Sequence, residues 1–214
     1  MTDSLQSRVR TALERSHRLG MIGGDLDEQL AHCASFFRAL EQVAEVGGSD
    51  VVAVDLGTGG GVPGVYLATA TPDWQWRLVE MRTGRATELE RQVMRSGLSA
   101  GVDTRPAQVV GHDRALREQV SVVTARAFGP PALVAECAAG LLAIGGSAVV
   151  SVPPDQSTEA RWPSDALRAW GFGPVEVLEI DGHRFARLRK VAPAPDDVPR
   201  PPKPSPIPRH CSSG

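Results

Sequence analysis

Cysteine is scarce. Cys33, Cys137 and Cys211 are the only three, and no two of them stand as a C-x-x-C pair. That excludes a disulfide framework and a cysteine-based zinc site, so no metal is expected and a reducing compartment is. Lysine is scarcer still, with Lys190 and Lys203 alone, so the basic side of the chain is almost all arginine. A net charge of −2 supplies no general cationic field for nucleic acid, which leaves only a local basic patch for that purpose. No apolar run approaches the length of a membrane span, and the N-terminal residues are polar, without the apolar core of a signal peptide. The expectation is a cytoplasmic chain with no membrane partner.

Glycine, by contrast, is concentrated where it matters. In Val51–Gly64, VVAVDLGTGGGVPG, a run of β-branched and small residues ends in Asp55, and Gly57, Gly59, Gly60 and Gly61 follow within five positions. An apolar helix start comes next, over Val62–Ala70. Strand, glycine turn and helix in that order grip a nucleotide-like cofactor, because a side chain in the turn would block the ligand and the helix start presents free N–H groups. Two cofactors fit the glycines. Gly59-Gly60-Gly61-Val62-Pro63-Gly64 matches the dinucleotide pattern G-x-G-x-x-G, and Asp55-Leu56-Gly57-Thr58-Gly59-Gly60-Gly61 matches the D-x-G-x-G-x-G of S-adenosylmethionine users. An acid at Asp55 suits a cationic amino-acid moiety and would repel a pyrophosphate, which favours the methyl donor. Glu80 closes a second strand, Gln75–Glu80, about 20 residues past the turn, where an acid commonly takes ribose hydroxyls.

At 214 residues the chain makes one domain with appendages. Helical periodicity over residues 2–20, then from Asp25 to a Gly47-Gly48 stop, sets residues 1–47 apart as a helical cap. From residue 48 to 192 strands and helices alternate, which argues for α/β architecture with a mostly parallel sheet. Further strands are expected near Val102–Arg105, at Gln119–Arg126 and, after a Gly145-Gly146 turn, at Ser147–Val152. Helices are expected over Gly84–Ser96, Pro131–Leu142 and Asp165–Trp170. Val175–Ile180 and Arg184–Val191 should form a hairpin around Asp181-Gly182, a strong turn dipeptide. Residues 193–214 are proline-rich and almost devoid of apolar side chains, so they should be extended or disordered, either passive or a basic arm bearing Arg200, Lys203, Arg209 and His210.

Five parallel strands, a terminal hairpin and the glycine turn resemble the class I S-adenosylmethionine-dependent methyltransferase fold, which is Rossmann-like. Within it the chain resembles the small-subunit (16S) ribosomal RNA guanine-N7 methyltransferases, once called glucose-inhibited division protein B. The residues that carry this are Gly61-Val62-Pro63-Gly64, Glu80-Met81-Arg82-Thr83-Gly84-Arg85-Ala86, and Arg126-Ala127-Phe128. The likeness covers roughly residues 15 to 190. It implies S-adenosylmethionine as cofactor and 16S rRNA or the small ribosomal subunit as partner. It also implies that Gly57 and Val62 line the cofactor pocket, that Val109 and Val110 flank the adenine, and that Arg126 stands at the mouth of the site. Three family features are missing. Val110 replaces an acid, Ser151-Val152-Pro153-Pro154 replaces a Lys-Gly, and of an N-terminal Arg-His pair only His32 survives. Those losses keep open a methyltransferase acting on a small molecule or protein, or a non-catalytic module that binds the cofactor or the ribosome. No residue is assigned as catalytic, since guanine N7 carries a lone pair and no proton to remove.

Overall fold

The computed structural model describes residues 3–44, 51–153 and 157–202. Its centre is a seven-stranded sheet. The strands are β1 Val52–Leu56, β2 Gln75–Val79, β3 Ala100–Asp103, β4 Val120–Ala125, β5 Leu142–Val152, β6 Glu176–Ile180 and β7 His183–Arg189. They lie in the order β3-β2-β1-β4-β5-β7-β6. The first five are parallel, and β7 runs antiparallel to both β5 and β6. Both faces are covered, which is why β1 and β4 are buried along almost their whole length rather than at alternate residues.

One face is covered by α1 Asp3–Arg18, α2 Leu26–Val43, α3 Gly64–Ala70 and α4 Thr83–Ser96. Leu13, Cys33, Phe36, Leu40 and Val65 pack there against Ala53, Leu78, Val122, Val149 and Phe185 of the sheet. The N-terminal helices are therefore not a separate cap. They complete the layer, and each fully buried Leu or Phe in it contributes about 1.5–3 kcal/mol. The other face carries α5 Ala107–Val110, α6 Pro131–Leu141, α7 Thr158–Arg161 and α8 Ser164–Ala169. Val134, Cys137, Leu141, Trp162 and Leu167 meet Val54, Leu56, Val123, Val150 and Leu188.

Local chemistry explains the element ends. Asp25 caps α2, its Oδ1 accepting the N–H groups of Asp27 at 2.9 Å and Glu28 at 3.1 Å. Gly97 ends α4 at φ 57°, in the left-handed region where glycine is favoured. Asp181 and Gly182 both have positive φ, 49° and 78°, as a two-residue hairpin turn requires. The Gly47-Gly48 stop lies outside the described residues.

Three expectations are corrected. The helix after the glycine turn starts at Gly64, not Val62, because a residue that precedes a proline is disfavoured in helical conformation and Pro63 becomes the N-cap. Strand β3 starts earlier than Val102 and stops at Asp103, whose carboxylate then holds Arg105 at 2.6 Å outside the strand. Gly145 and Gly146 are not a turn before β5. They lie inside it, at a register shift against β4, and a Cβ on Gly146 would fall 2.9 Å from the Ser121 carbonyl oxygen.

Residues 193–202 form no helix or strand, as an extended segment should, yet they are docked. Val198 is buried. The Arg117 guanidinium donates to the carbonyls of Val198 and Pro195, His112 donates to that of Pro199, and Arg200 pairs with buried Glu136. Apolar content alone missed this because the segment is held mainly through its backbone carbonyls. Lys203, Arg209 and His210 lie outside the described residues.

Candidate cofactor and substrate site

The C-terminal ends of β1, β2 and β4 meet at the glycine loop, which is where open parallel sheets bind ligands. Gly57 and Gly59 adopt φ of 71° and 60°. A Cβ on Gly59 would meet the Arg85 guanidinium at 3.7 Å and the Gly57 carbonyl oxygen at 3.8 Å, ordinary contacts without a clash. A Cβ on Gly57 would strike the Phe128 ring at 2.6 Å. Glu80 holds the loop from β2. Its Oε2 accepts the Gly59 N–H at 3.1 Å and its Oε1 the Arg82 N–H at 2.7 Å. Val62 is half-buried beside the loop, and Val109 is exposed beyond β3.

Other expected contacts are redirected inward. Asp55 is fully buried. Its Oδ1 accepts the Thr124 hydroxyl at 2.7 Å across the β1–β4 pairing, and a Cβ on Gly64 would meet its Oδ2 at 2.5 Å. Burial raises this carboxyl to about 6 against the pull of Thr124, Thr58, the Gly64 N–H and Arg126. Asp55 thus ties the loop and α3 to the sheet from beneath. Gly61 serves packing as well, since a Cβ there would collide with Leu13 of α1 and with Gln92 and Val65. Val110 points into the core and is fully buried, so of the adenine pair only Val109 faces out.

Beside the loop, past Phe128, lies a second cavity of about 330 Å³. Arg126, at the end of β4, and Phe128 both line it. Between them Ala127 takes φ 51°, which turns the chain so that Arg126 donates to Gln29 of α2 while Phe128 lies over Gly57. The remaining charge comes from elements that sequence reasoning did not assign: Arg161 of α7, and His183 and Arg184 at the start of β7. Arg184 pairs in register with Val152, which puts a guanidinium at the end of β5 where this chain lacks a Lys-Gly. The Asp181-Gly182 turn was the signal that could have found them, since it returns the chain to the same sheet edge.

His32 lines this cavity too. It packs edge-on against His183, with ring centroids 4.7 Å apart, and lies beside Phe36 and Phe185. Burial, reinforced by Arg126 and His183, lowers it to about 3, so the ring is neutral near pH 7. Its neighbour Cys33 is pushed up to about 12 by burial and is inert as a nucleophile, as is Cys137. Cys211 lies outside the described residues. Among the described residues no cluster of His, Cys, Asp or Glu could hold a metal ion, and no helix is long and apolar enough to cross a membrane.

A profile of the GidB family, described as rRNA small subunit methyltransferase G, matches residues 26–169. The chain belongs to this family. Curated members named ribosomal RNA small subunit methyltransferase G include one from Pelotomaculum thermopropionicum, 28% identical over 89% of this chain and 82% of the relative. Others come from Roseiflexus castenholzii, 35% identical over 69% and 65%, and Kineococcus radiotolerans, 35% identical over 72% and 58%. The chain thus spans under two thirds of the length of the latter two. Among solved structures, a Corynebacterium glutamicum protein aligns with TM-score 0.58 and 15% identity, covering 89% of this chain and 92% of that one. An S-adenosylmethionine-dependent O-methyltransferase from Thermotoga maritima aligns with TM-score 0.57 and 17% identity over 76% and 65%. These likenesses establish the class I methyltransferase fold for this GidB-family chain.

Proposed function

We propose that this GidB-family chain transfers a methyl group from S-adenosylmethionine to N7 of a guanine in 16S rRNA. The observation that carries the proposal is the cavity beside the glycine loop. Among the described residues it is lined by Arg126, Arg161, Arg184, His32 and His183 and by no carboxylate. A polyanionic substrate suits that lining. So does a reaction with no proton to abstract, since N7 attacks with an in-plane lone pair. His32, held near 3, is too weak a base to take a proton from an exocyclic amine. The cavity volume suits a single base.

The residues present fit the cofactor. The loop is uncrowded at Gly59, Glu80 keeps acceptor capacity beyond its two backbone donors, Val109 offers an exposed apolar face, and Arg85 stands where it can pair with a carboxylate. When bound, S-adenosylmethionine supplies an electrophilic methyl group on a sulfonium. The protein's own contribution is placement. Phe128, shared by loop and cavity, sets the wall between them and excludes water. Arg126, fixed by Gln29 at 2.5 Å, orients a phosphate or the guanine O6, because an arginine aimed at N7 would compete for the reacting lone pair.

The test is to incubate the protein and labelled donor with small ribosomal subunits lacking N7-methylguanosine, then digest the 16S rRNA and identify nucleosides by mass. N7-methylguanosine should appear at one position. Donor binding without rRNA methylation would overturn the substrate, and label in an exocyclic amine would overturn the atom.

A further inference from the structure

A second basic surface lies away from that cavity. Helices α1 and α4 flank a groove of about 550 Å³. Arg8, Arg15 and Arg18 line it from α1 and Arg95 from α4, with Glu14 as the one acid in the lining. Beneath them sits Glu88, only 2% exposed. Its carboxylate lies 2.7 Å from Arg15, 3.4 Å from Arg91 and 4.0 Å from Arg95, while those three side chains stay 45–56% exposed. One guanidinium would satisfy a buried carboxylate. Three converge on it, and with Arg8 and Arg18 five guanidiniums face two carboxylates. Folding requires a partner for buried Glu88 but not five guanidiniums, because surplus like charges repel.

The groove is joined to the cofactor loop. Gln92, on its floor, donates to the Gly60 carbonyl at 3.4 Å, and α4 begins beside Gly59 with Arg85. Arg8 to Arg18 spans about 15 Å of helix, long enough to follow several nucleotides of one strand. Arginine forks suit phosphate oxygens and carry no base specificity. We infer that the α1–α4 groove is a docking track for the phosphate backbone of the rRNA substrate, outside the pocket that takes the reacting base. The inference rests on the rRNA methyltransferase reading above and adds the surface by which the substrate is held.

The test compares the full chain with the triple variant Arg8→Gln, Arg18→Gln, Arg95→Gln, which leaves Arg15 and Arg91 to neutralise Glu88. Binding to a 16S rRNA fragment is measured against salt, with S-adenosylmethionine affinity and melting temperature as controls for folding. Each phosphate contact adds about 0.7 to the salt slope on single strands, so between about 50 and 200 mM salt the unaltered chain should lose roughly twenty-fold more affinity than the variant. Donor affinity and melting temperature should stay unchanged. Equal affinities and slopes, with rRNA methylation intact in both proteins, would overturn the groove and leave the enzyme standing. An unaltered chain that neither binds nor methylates rRNA would overturn both readings. A variant that binds naked rRNA normally but no longer binds intact subunits would place an acidic ribosomal protein in the groove and overturn the phosphate track.

Discussion

Glu80→Gln isolates what the second-strand acid does. Glu80 is 7% exposed, and each carboxylate oxygen takes a different backbone donor, Gly59 at 3.1 Å and Arg82 at 2.7 Å. A glutamine has one acceptor oxygen, so in the variant one of those N–H groups must face an amide NH₂. A hydrogen bond to a charged group contributes about 1.5–3 kcal/mol, and an orphaned buried donor costs about 1–3 kcal/mol. Taking one bond as lost gives about 2 kcal/mol, located in the loop that frames the cofactor. Titration calorimetry should then show S-adenosylmethionine bound roughly thirty-fold more weakly. A ligand-free melt should fall by at most about 4–8 °C for a domain of this size. Affinity lost beyond the stability loss reports direct contact between Glu80 and the ribose. Equal losses make it a loop pin alone. Donor affinity unchanged within error would refute both roles and with them the placement of the cofactor.

Two further outcomes separate folding from binding and report the state of the histidine. Gly57→Ala adds left-handed backbone strain of about 1–2 kcal/mol and an overpacking clash with Phe128 of about 1–3 kcal/mol, whereas Gly59→Ala adds only the strain, its Cβ meeting ordinary contacts. The first should lower the melting temperature clearly more than the second, and the second should lose donor affinity out of proportion to its stability; matching profiles would refute the assignment of the Gly59 face to the cofactor. For His32 the folded-state value, about 3, lies below the ordinary 6.5, so the unfolded chain binds the extra proton and stability falls as pH drops through the window from about 6.5 towards 3. Discounting for its partial exposure, about 1 kcal/mol should be lost between pH 7.5 and 5 relative to His32→Gln in denaturant melts. Asp55 works in the opposite direction in both proteins, because its raised value stabilises the fold as pH falls below about 6. Parallel pH profiles for wild type and His32→Gln would show that the imidazole is not buried as described.

The frame of the molecule was legible because local and global signals agree. Glycine turns, an Asp25 cap and a two-residue Asp-Gly hairpin fix their own backbone, so helix ends and the hairpin follow within a few residues. Inside the glycine loop the same logic stops working. A glycine marks close approach without saying what approaches. At Gly59 it is the Arg85 guanidinium and the Gly57 carbonyl at ordinary contact distance, at Gly61 it is Leu13 of α1, and at Gly60 it is Ile22 and the Met21 backbone. Two of the loop glycines therefore serve the N-terminal helices, whose position no local pattern specifies. The inward contacts of Asp55 were illegible for a related reason. An acid at a strand end faces either the ligand or the sheet beneath, and the threonine that draws it inward, Thr124, stands 69 residues away.

The substrate half was the least legible part because no single segment carries it. Measured along the chain, His32, Arg126, Arg161 and Arg184 look unrelated, and the absence of a Lys-Gly after β5 and of an Arg before His32 reads as loss of function. The antiparallel return of β7 changes that reading. Pairing Val152 with Arg184 and Ser151 with Phe185 brings the hairpin turn to the same edge as the ends of β4 and β5. Ser35 of α2 then hydrogen-bonds Asp181 and lies 3.0 Å from His183 Nδ1, and Arg38 pairs with Asp181 at 2.7 Å. Helix α2 is thereby locked against the hairpin, and His32 is carried to the cavity wall. Positive charge reaches this edge from α7 and β7, which a reading confined to the end of β5 does not register. Charge at a site edge is the sum of contributions from every element ending there, and the parallel sheet with one reversed strand gives this chain several places from which to make that contribution.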